Sequence, residues 1–248
     1  MARGKKHNFE LAEYMCMELD NYVAQSNILV LSQQDLSIMS MKLIRLAIMQ
    51  IKPEDKELRT FRITIKDLAR TLEIDASNIY RTVDMLTDEL LSNFVKITIG
   101  SAYKKANWVS NCTYLPDDGL YIRLNDELKP YLLNLKSHYT QYPLEAVIKM
   151  KSEYSIRFFE LILEKVNQQI LPINGLDIYL SLEEIKSVCG CNAETYQRFS
   201  NLKQKVIDRA IKEIHKYTLY RITYDKCNYL KQGKMVIGIT FNMNMLYH

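Results

Sequence analysis

Tyr196-Gln-Arg-Phe-Ser-Asn-Leu-Lys-Gln-Lys-Val-Ile-Asp-Arg-Ala-Ile-Lys-Glu-Ile-His-Lys-Tyr217, with the alternating segments that follow it as far as Phe241, decides how this chain is read. Phe199, Leu202, Val206, Ala210, Ile214 and Tyr217 recur at steps of three and four, the apolar stripe of an amphipathic helix. At about 100° per residue, Asn201, Lys205, Arg209, Lys212 and Lys216 fall together on roughly the opposite side. Beyond the helix, Tyr220-Arg-Ile-Thr-Tyr224 and Met235-Val-Ile-Gly-Ile-Thr-Phe241 alternate as strands. The link between them carries Lys226, Lys231 and Lys234 and a turn glycine, Gly233. Between Tyr196 and Lys234 ten Lys/Arg stand against three Asp/Glu, a surface suited to a polyanion.

Most basic helix faces are simply solvated. A basic hairpin directly behind the helix argues against that reading here. Helix plus hairpin is the winged-helix arrangement, in which the helix lies in the major groove of duplex DNA and the hairpin tip reaches the flanking backbone.

Composition agrees with a soluble DNA-binding protein. Of 248 residues, 48% are hydrophobic and 25% charged, enough to build a core. No apolar run approaches the ~18 residues of a membrane span, and the N-terminal residues lead into Glu-rich sequence without an apolar signal core. Cys16, Cys112, Cys189, Cys191 and Cys227 are an odd number, so a full intrachain disulfide framework is excluded and a reducing cytoplasm is expected. The net charge of +4 divides unevenly. Residues 1–130 hold 17 Lys/Arg against 18 Asp/Glu, and residues 131–248 hold 16 against 11. The second half therefore has the stronger grip on nucleic acid.

The chain also repeats one plan. Helix (Ser37 to Ile51), strand (Arg59 to Ile63), helix (Thr64 to Leu72), helix (Ser77 to Leu91) and strands (Val95 to Ile99, Leu120 to Leu124) are followed by helix (Tyr154 to Gln169), strand (Leu176 to Leu180), helix (Ser181 to Cys189), the basic helix and its wing. Thr64 with Asp67, and Ser181 with Glu184, stand as N-cap and N3 residues in matching places. On this alignment Cys189 and Cys191 occupy the core positions of Leu72 and Ile74, which favours buried thiols over metal ligands. The fold class expected is α+β, two tandem winged helices, with a first unit over 1–130 and a second over 131–248. The Leu- and Tyr-rich connector from Asn125 to Lys151 is expected to pack as helix and to hold the two readers about one helical turn of DNA apart.

With these elements in place, the chain resembles the replication initiator proteins of theta-replicating plasmids, which bind short direct repeats (iterons) at the origin. The resemblance is carried by Gln25 to Val30, Leu36 to Leu46, Gly119 to Leu124, Tyr139 to Tyr142, Lys151 to Leu161, Tyr196 to Ile214 and Gly233 to Phe241. It implies a C-terminal reader in the major groove at one end of the iteron. It further implies an N-terminal unit that clamps the other end and serves as a dimer interface, with monomers initiating replication and dimers repressing the gene. The family's reader positions fall on Arg198, Asn201, Lys203 and Lys205, and Arg209 joins them on the basic face. Two of these are lysine where better-known members often carry arginine, so the bidentate fork for guanine is lost there. Lys203 also lies about 200° around the helix from Asn201, where a phosphate contact is as reasonable as a base contact.

In the first unit the equivalent helix offers Ser77, Asn78 and Arg81, with Ile79, Val83 and Leu86 as its core stripe. Ser77 can equally be a helix cap. Lys104 and Lys105, in a first wing over Tyr103 to Ser110, are expected to meet phosphates, and Trp108 is expected to be packed. The segment Phe9 to Leu31 reads as an amphipathic helix packing on its own domain, with Arg3, Lys5 and Lys6 as a basic arm.

Nicking enzymes of plasmid origins hold a divalent metal with clustered histidines. His7, His138, His215 and His248 are scattered, and no Gly-x-x-x-x-Gly-Lys-Ser/Thr loop is present. The expectation is a binding protein without catalysis, cofactor or metal, acting on duplex DNA, on itself and on host replication proteins such as a helicase or initiator, without a membrane. The alternatives are a winged-helix repressor using the same surface on an operator, and an interaction module whose basic face is incidental.

Overall fold

The computed structural model describes residues 21–75, 78–166, 171–172 and 174–246. Strand Tyr22–Ser26 (β1) leads into a short helix, Asn27–Leu31 (α1), and strand Gln33–Gln34 (β2). The first winged helix follows: Ile38–Met49 (α2), Thr60–Thr64 (β3), Ile65–Leu72 (α3) and Ile79–Ser92 (α4). Two hairpins complete it, Phe94–Ile99 (β4) with Ala102–Asn107 (β5) and Val109–Leu115 (β6) with Gly119–Leu124 (β7).

Local chemistry sets the helix ends. The Ser37, Thr64 and Ser181 side chains accept the backbone N–H of Ser40, Asp67 and Glu184, so each occupies the N-cap of its helix. Residues Leu182–Cys189 (α8) end on Gly190 in the left-handed region (φ +70), as glycine allows. The matching helix α3 ends on Glu73 at φ +55, where a side chain must tolerate the same turn.

The connector departs from the expected helix. It contains a short helix Lys129–Leu132 (α5), strand Tyr139–Pro143 (β8) and helix Leu144–Ile148 (α6). In β8 only Thr140 and Tyr142 are buried, a period of two that belongs to a strand. It pairs antiparallel with β1 in the register Tyr22↔Pro143 to Ser26↔Tyr139. The expected helix over Phe9 to Leu31 is therefore replaced by strand and short helix from Tyr22 onward; its earlier residues and the Arg3, Lys5 and Lys6 arm lie outside the described residues.

Glu153–Val166 (α7) is the central helix, with ten of its residues buried around almost its whole circumference. It packs on α1, β8, α8 and the basic helix. The second unit continues through Leu176–Ser181 (β9), α8, and residues 199–217 (α9) to Tyr220–Thr223 (β10), Tyr229–Gln232 (β11) and Met235–Met245 (β12). One apolar core runs through both units, from Val23 to Met243, and includes Cys189 and Cys191 as the alignment of the two halves requires.

The wing is built differently from the expected pairing of 220–224 with 235–241. β11 and β12 form the hairpin, with Gln232↔Met235 closing a two-residue loop, while β10 pairs with the far end of β12, Tyr220↔Met245. β11 escapes a reading by alternation because none of its four side chains is buried. Gly233 stands first in the loop at φ +61, the conformation a tight hairpin of this kind demands. β9 pairs with the middle of β12.

The same topology relocates the first wing. β3 pairs with β7 as β9 pairs with β12, so the equivalent hairpin is β6–β7, with Pro116, Asp117 and Asp118 at its tip. Of the Tyr103 to Ser110 stretch, Tyr103 to Asn107 instead lie in β5, in a separate sheet ordered β2-β4-β5, and Val109 and Ser110 open β6.

Candidate nucleic-acid interface

Helix α9 has three parts: Phe199–Leu202, a π turn over Lys203–Ile207, and Asp208–Tyr217. π turns often stand at functional positions because they re-aim side chains within a helix. Here the wider turn buries Val206 and Ile207 side by side beneath the helix, with Leu202, Ala210 and Ile214. Lys205 stays exposed on the outer side. Arg198 is exposed at the N-cap position, where its carbonyl accepts the Asn201 and Leu202 N–H groups. The start of a recognition helix is the part that reaches base edges.

The other reader positions are tied down. The Asn201 amide donates to the Thr195 carbonyl at 3.0 Å, bracing the turn before the helix. Lys203 donates to Asp208 at 2.7 Å and sits 5.5 Å above the Tyr224 ring. Arg209 pairs with Glu213 at 3.6 Å and donates to the Lys151 carbonyl at 3.3 Å, facing the connector. Arg198, Lys205 and Lys212 are exposed at this helix, as is Lys216, whose ammonium lies 5.0 Å from the Tyr217 ring centre.

An aromatic cluster locks the wing to the helix. Phe199 packs edge-on against Tyr229 (5.2 Å), Tyr224 against Tyr229 and Phe241, and Phe241 against Phe158 of α7. The Tyr224 hydroxyl donates to Asp208 at 2.5 Å, and burial together with that carboxylate pushes its pKa up. At the other end of α9, His215 Nε2 accepts the Ile222 N–H at 2.9 Å. Burial, then Arg221, lower the His215 pKa, against the Ile222 carbonyl 3.0 Å from the same nitrogen, which raises it. Helix and wing are thus joined by ring packing and hydrogen bonds at both ends of α9. Lys226, Lys231 and Lys234 are all exposed along the wing, the last in the hairpin loop.

In the first unit Asn78 is exposed at the N-cap of α4 and Arg81 is exposed one turn on, while Ser77 lies outside the described residues. Tyr80, between them, is 66% exposed against Tyr114; it falls off the Ile79–Val83–Leu86 core stripe, a signal available in the sequence. Lys104 is ion-paired with Glu127. Lys105 stands opposite Lys96 in the β4–β5 register and covers the Phe94 ring at 4.3 Å. The wing position itself is acidic, with Asp118 accepting from Tyr121 and Arg62, which in that order hold its pKa below the usual carboxylate range. Trp108 is fully buried, with the Arg45 guanidinium 5.7 Å from its ring centre. Among the described residues no helix is long and apolar enough to cross a membrane.

Comparison with known proteins agrees with this geometry. Residues 22–163 match the profile described as initiator replication protein, WH1, and residues 181–243 match that of initiator Rep protein, WH2. A replication initiation protein of Escherichia coli is 26% identical over 210 residues, spanning 82% of this chain and 65% of that protein's length. A solved structure of the Pi initiator protein in complex with iteron DNA superposes with a TM-score of 0.74 at 18% identity, over 94% of this chain and all of that one. The two profiles together account for most of the chain, the first running on through the connector into α7, and the chain belongs to the initiator replication protein family.

Proposed function

We propose that the chain initiates plasmid replication by binding tandem iterons of its origin, one repeat per monomer, with the second unit reading the major groove and the first clamping the far end. The observation that carries this is the exposed Arg198–Lys205 edge of α9, locked by aromatic packing to a hairpin bearing Lys231 and Lys234, with Lys226 in the turn before it. The relatives' names support it, and the Pi initiator was solved on iteron DNA. The protein works by binding, without catalysis, in the cytoplasm. Self-association, repression of its own gene and recruitment of a host helicase or initiator complete the reading. A competition binding experiment tests it: duplexes with tandem direct repeats should outcompete a single inverted repeat, with one monomer per repeat. Preference for the inverted repeat alone would leave a repressor.

The wing and the helix divide the work. Lys231→Ala and Lys234→Ala should weaken binding to all sequences alike and reduce the slope of log affinity against log salt by about one for each phosphate no longer neutralised. Titrations at several salt concentrations would show this; a change in base preference with an unchanged slope would contradict it.

A further inference from the structure

Arg157 and Lys151 each link the two halves of the molecule. Arg157, on α7, is 1% exposed. Its Nη2 donates to the carbonyls of Val30 (2.6 Å) and Ser32 (2.9 Å) at the end of α1, and its Nε to that of Val188 (3.1 Å) in the last turn of α8. Carbonyls at helix C-termini lack partners within their own helix and attract positive charge, so one guanidinium serves two helix ends, one from each half of the molecule. Arg157 Nη1 donates to Glu160 at 2.6 Å, and both oxygens of Glu160 accept from Arg45 on α2, each at 2.9 Å. This inner network therefore runs from the first unit's leading helix to the second unit's α8.

An outer tier repeats the link at the surface. The Lys151 ammonium is ion-paired with Glu73 at the end of α3. Its backbone N–H donates to Glu213 of α9 at 2.9 Å, and its carbonyl takes Arg209 of the same helix. The connector residue thus ties one helix-turn-helix to the recognition helix of the other.

Resting on the duplex-DNA reading above, we propose that Arg157 and Lys151 are positioning residues that fix the distance and rotation between the two readers. The chain then selects DNA by half-site spacing as well as by base sequence. One inserted base pair shifts the second half-site by about 3.4 Å and turns it by about 34°. A rigid pair of readers cannot follow that shift and forfeits the gain from simultaneous engagement; a loosened pair can follow it.

The test uses the full chain and a duplex that it selects from a random-sequence pool, with zero, one or two base pairs inserted between the half-sites. Wild type should lose roughly 30-fold or more in affinity on insertion. Arg157→Lys keeps the charge but not the planar fork, and Lys151→Ala removes the outer tie. Each should weaken the native spacing by about 3- to 10-fold and shrink the insertion penalty, whereas Arg198→Ala should weaken every spacing by one common factor. Lys151 is half exposed, so its variant decides the matter if Arg157→Lys fails to fold. Folded variants with the wild-type insertion penalty would overturn the inference, as would a wild type that selects a sequence but tolerates insertion. A wild type that selects no sequence would instead overturn the DNA reading itself.

Discussion

Glu160→Gln is expected to destabilise the protein by about 3–5 kcal/mol, measured by urea unfolding at neutral pH. Glu160 is fully buried and, among the described residues, is the one carboxylate paired with Arg45 and Arg157, themselves buried, with Gln25 and Tyr142 also bonded to it. Removing its charge leaves two buried guanidiniums close together without that counter-ion, where an unpaired charge is far costlier than at the surface. Arg62→Gln, which breaks the solvent-screened surface pair with Asp118, should cost far less. A Glu160→Gln loss no larger than that of Arg62→Gln would contradict this account of the core.

The same carboxylate sets the acid limit of the fold. Burial alone would raise its pKa, but Arg45 and Arg157 more than offset that and hold it at about 2, against 4.5 for an ordinary glutamate. The folded-state value is depressed, so the stabilisation, of order 3 kcal/mol, is fully present above about pH 4.5 and is lost as pH falls towards 2. Wild type should lose stability across that window, and Glu160→Gln should show a shallower fall there. Parallel pH profiles for the two would contradict the assignment.

Arg198→Ala and Lys205→Ala are each expected to cost roughly 1–3 kcal/mol of specific binding and to relax preference at one or two base pairs. Both side chains are exposed on the outward edge of α9. Lys203→Ala should matter less, because Asp208 and the Tyr224 ring already engage that ammonium. Affinities for a panel of single-base variants of the selected site give the comparison. Specificity lost with Lys203 and kept without Arg198 would reverse the ranking.

Much of this architecture is legible from short-range chemistry. The caps at Thr64 and Ser181, the amphipathic stripe of α9 and the equivalence of Cys189 with Leu72 all follow from residues a turn or two apart. What escapes is long-range. Tyr139 to Pro143 becomes a strand because β1, more than a hundred residues earlier, offers it an edge. Arg45 and Glu160, 115 residues apart in sequence, look like ordinary surface charges until the fold brings them to 2.9 Å. At the candidate site, the types and rough positions of the basic residues were readable. The engagement of Asn201, Lys203 and Arg209 by Thr195, Asp208 and Lys151 was not, because it depends on the π turn and on the connector's path. The hairpin β6–β7 was likewise hidden as a wing, since only its pairing with β3 reveals the equivalence.

The most direct test of the central claim is footprinting of the purified protein on the DNA adjoining its own gene, at several salt concentrations. The account predicts regularly spaced protection over direct repeats of about 20 base pairs, two helical turns to each bound monomer. Protection confined to a single inverted repeat, or none at moderate salt, would contradict it.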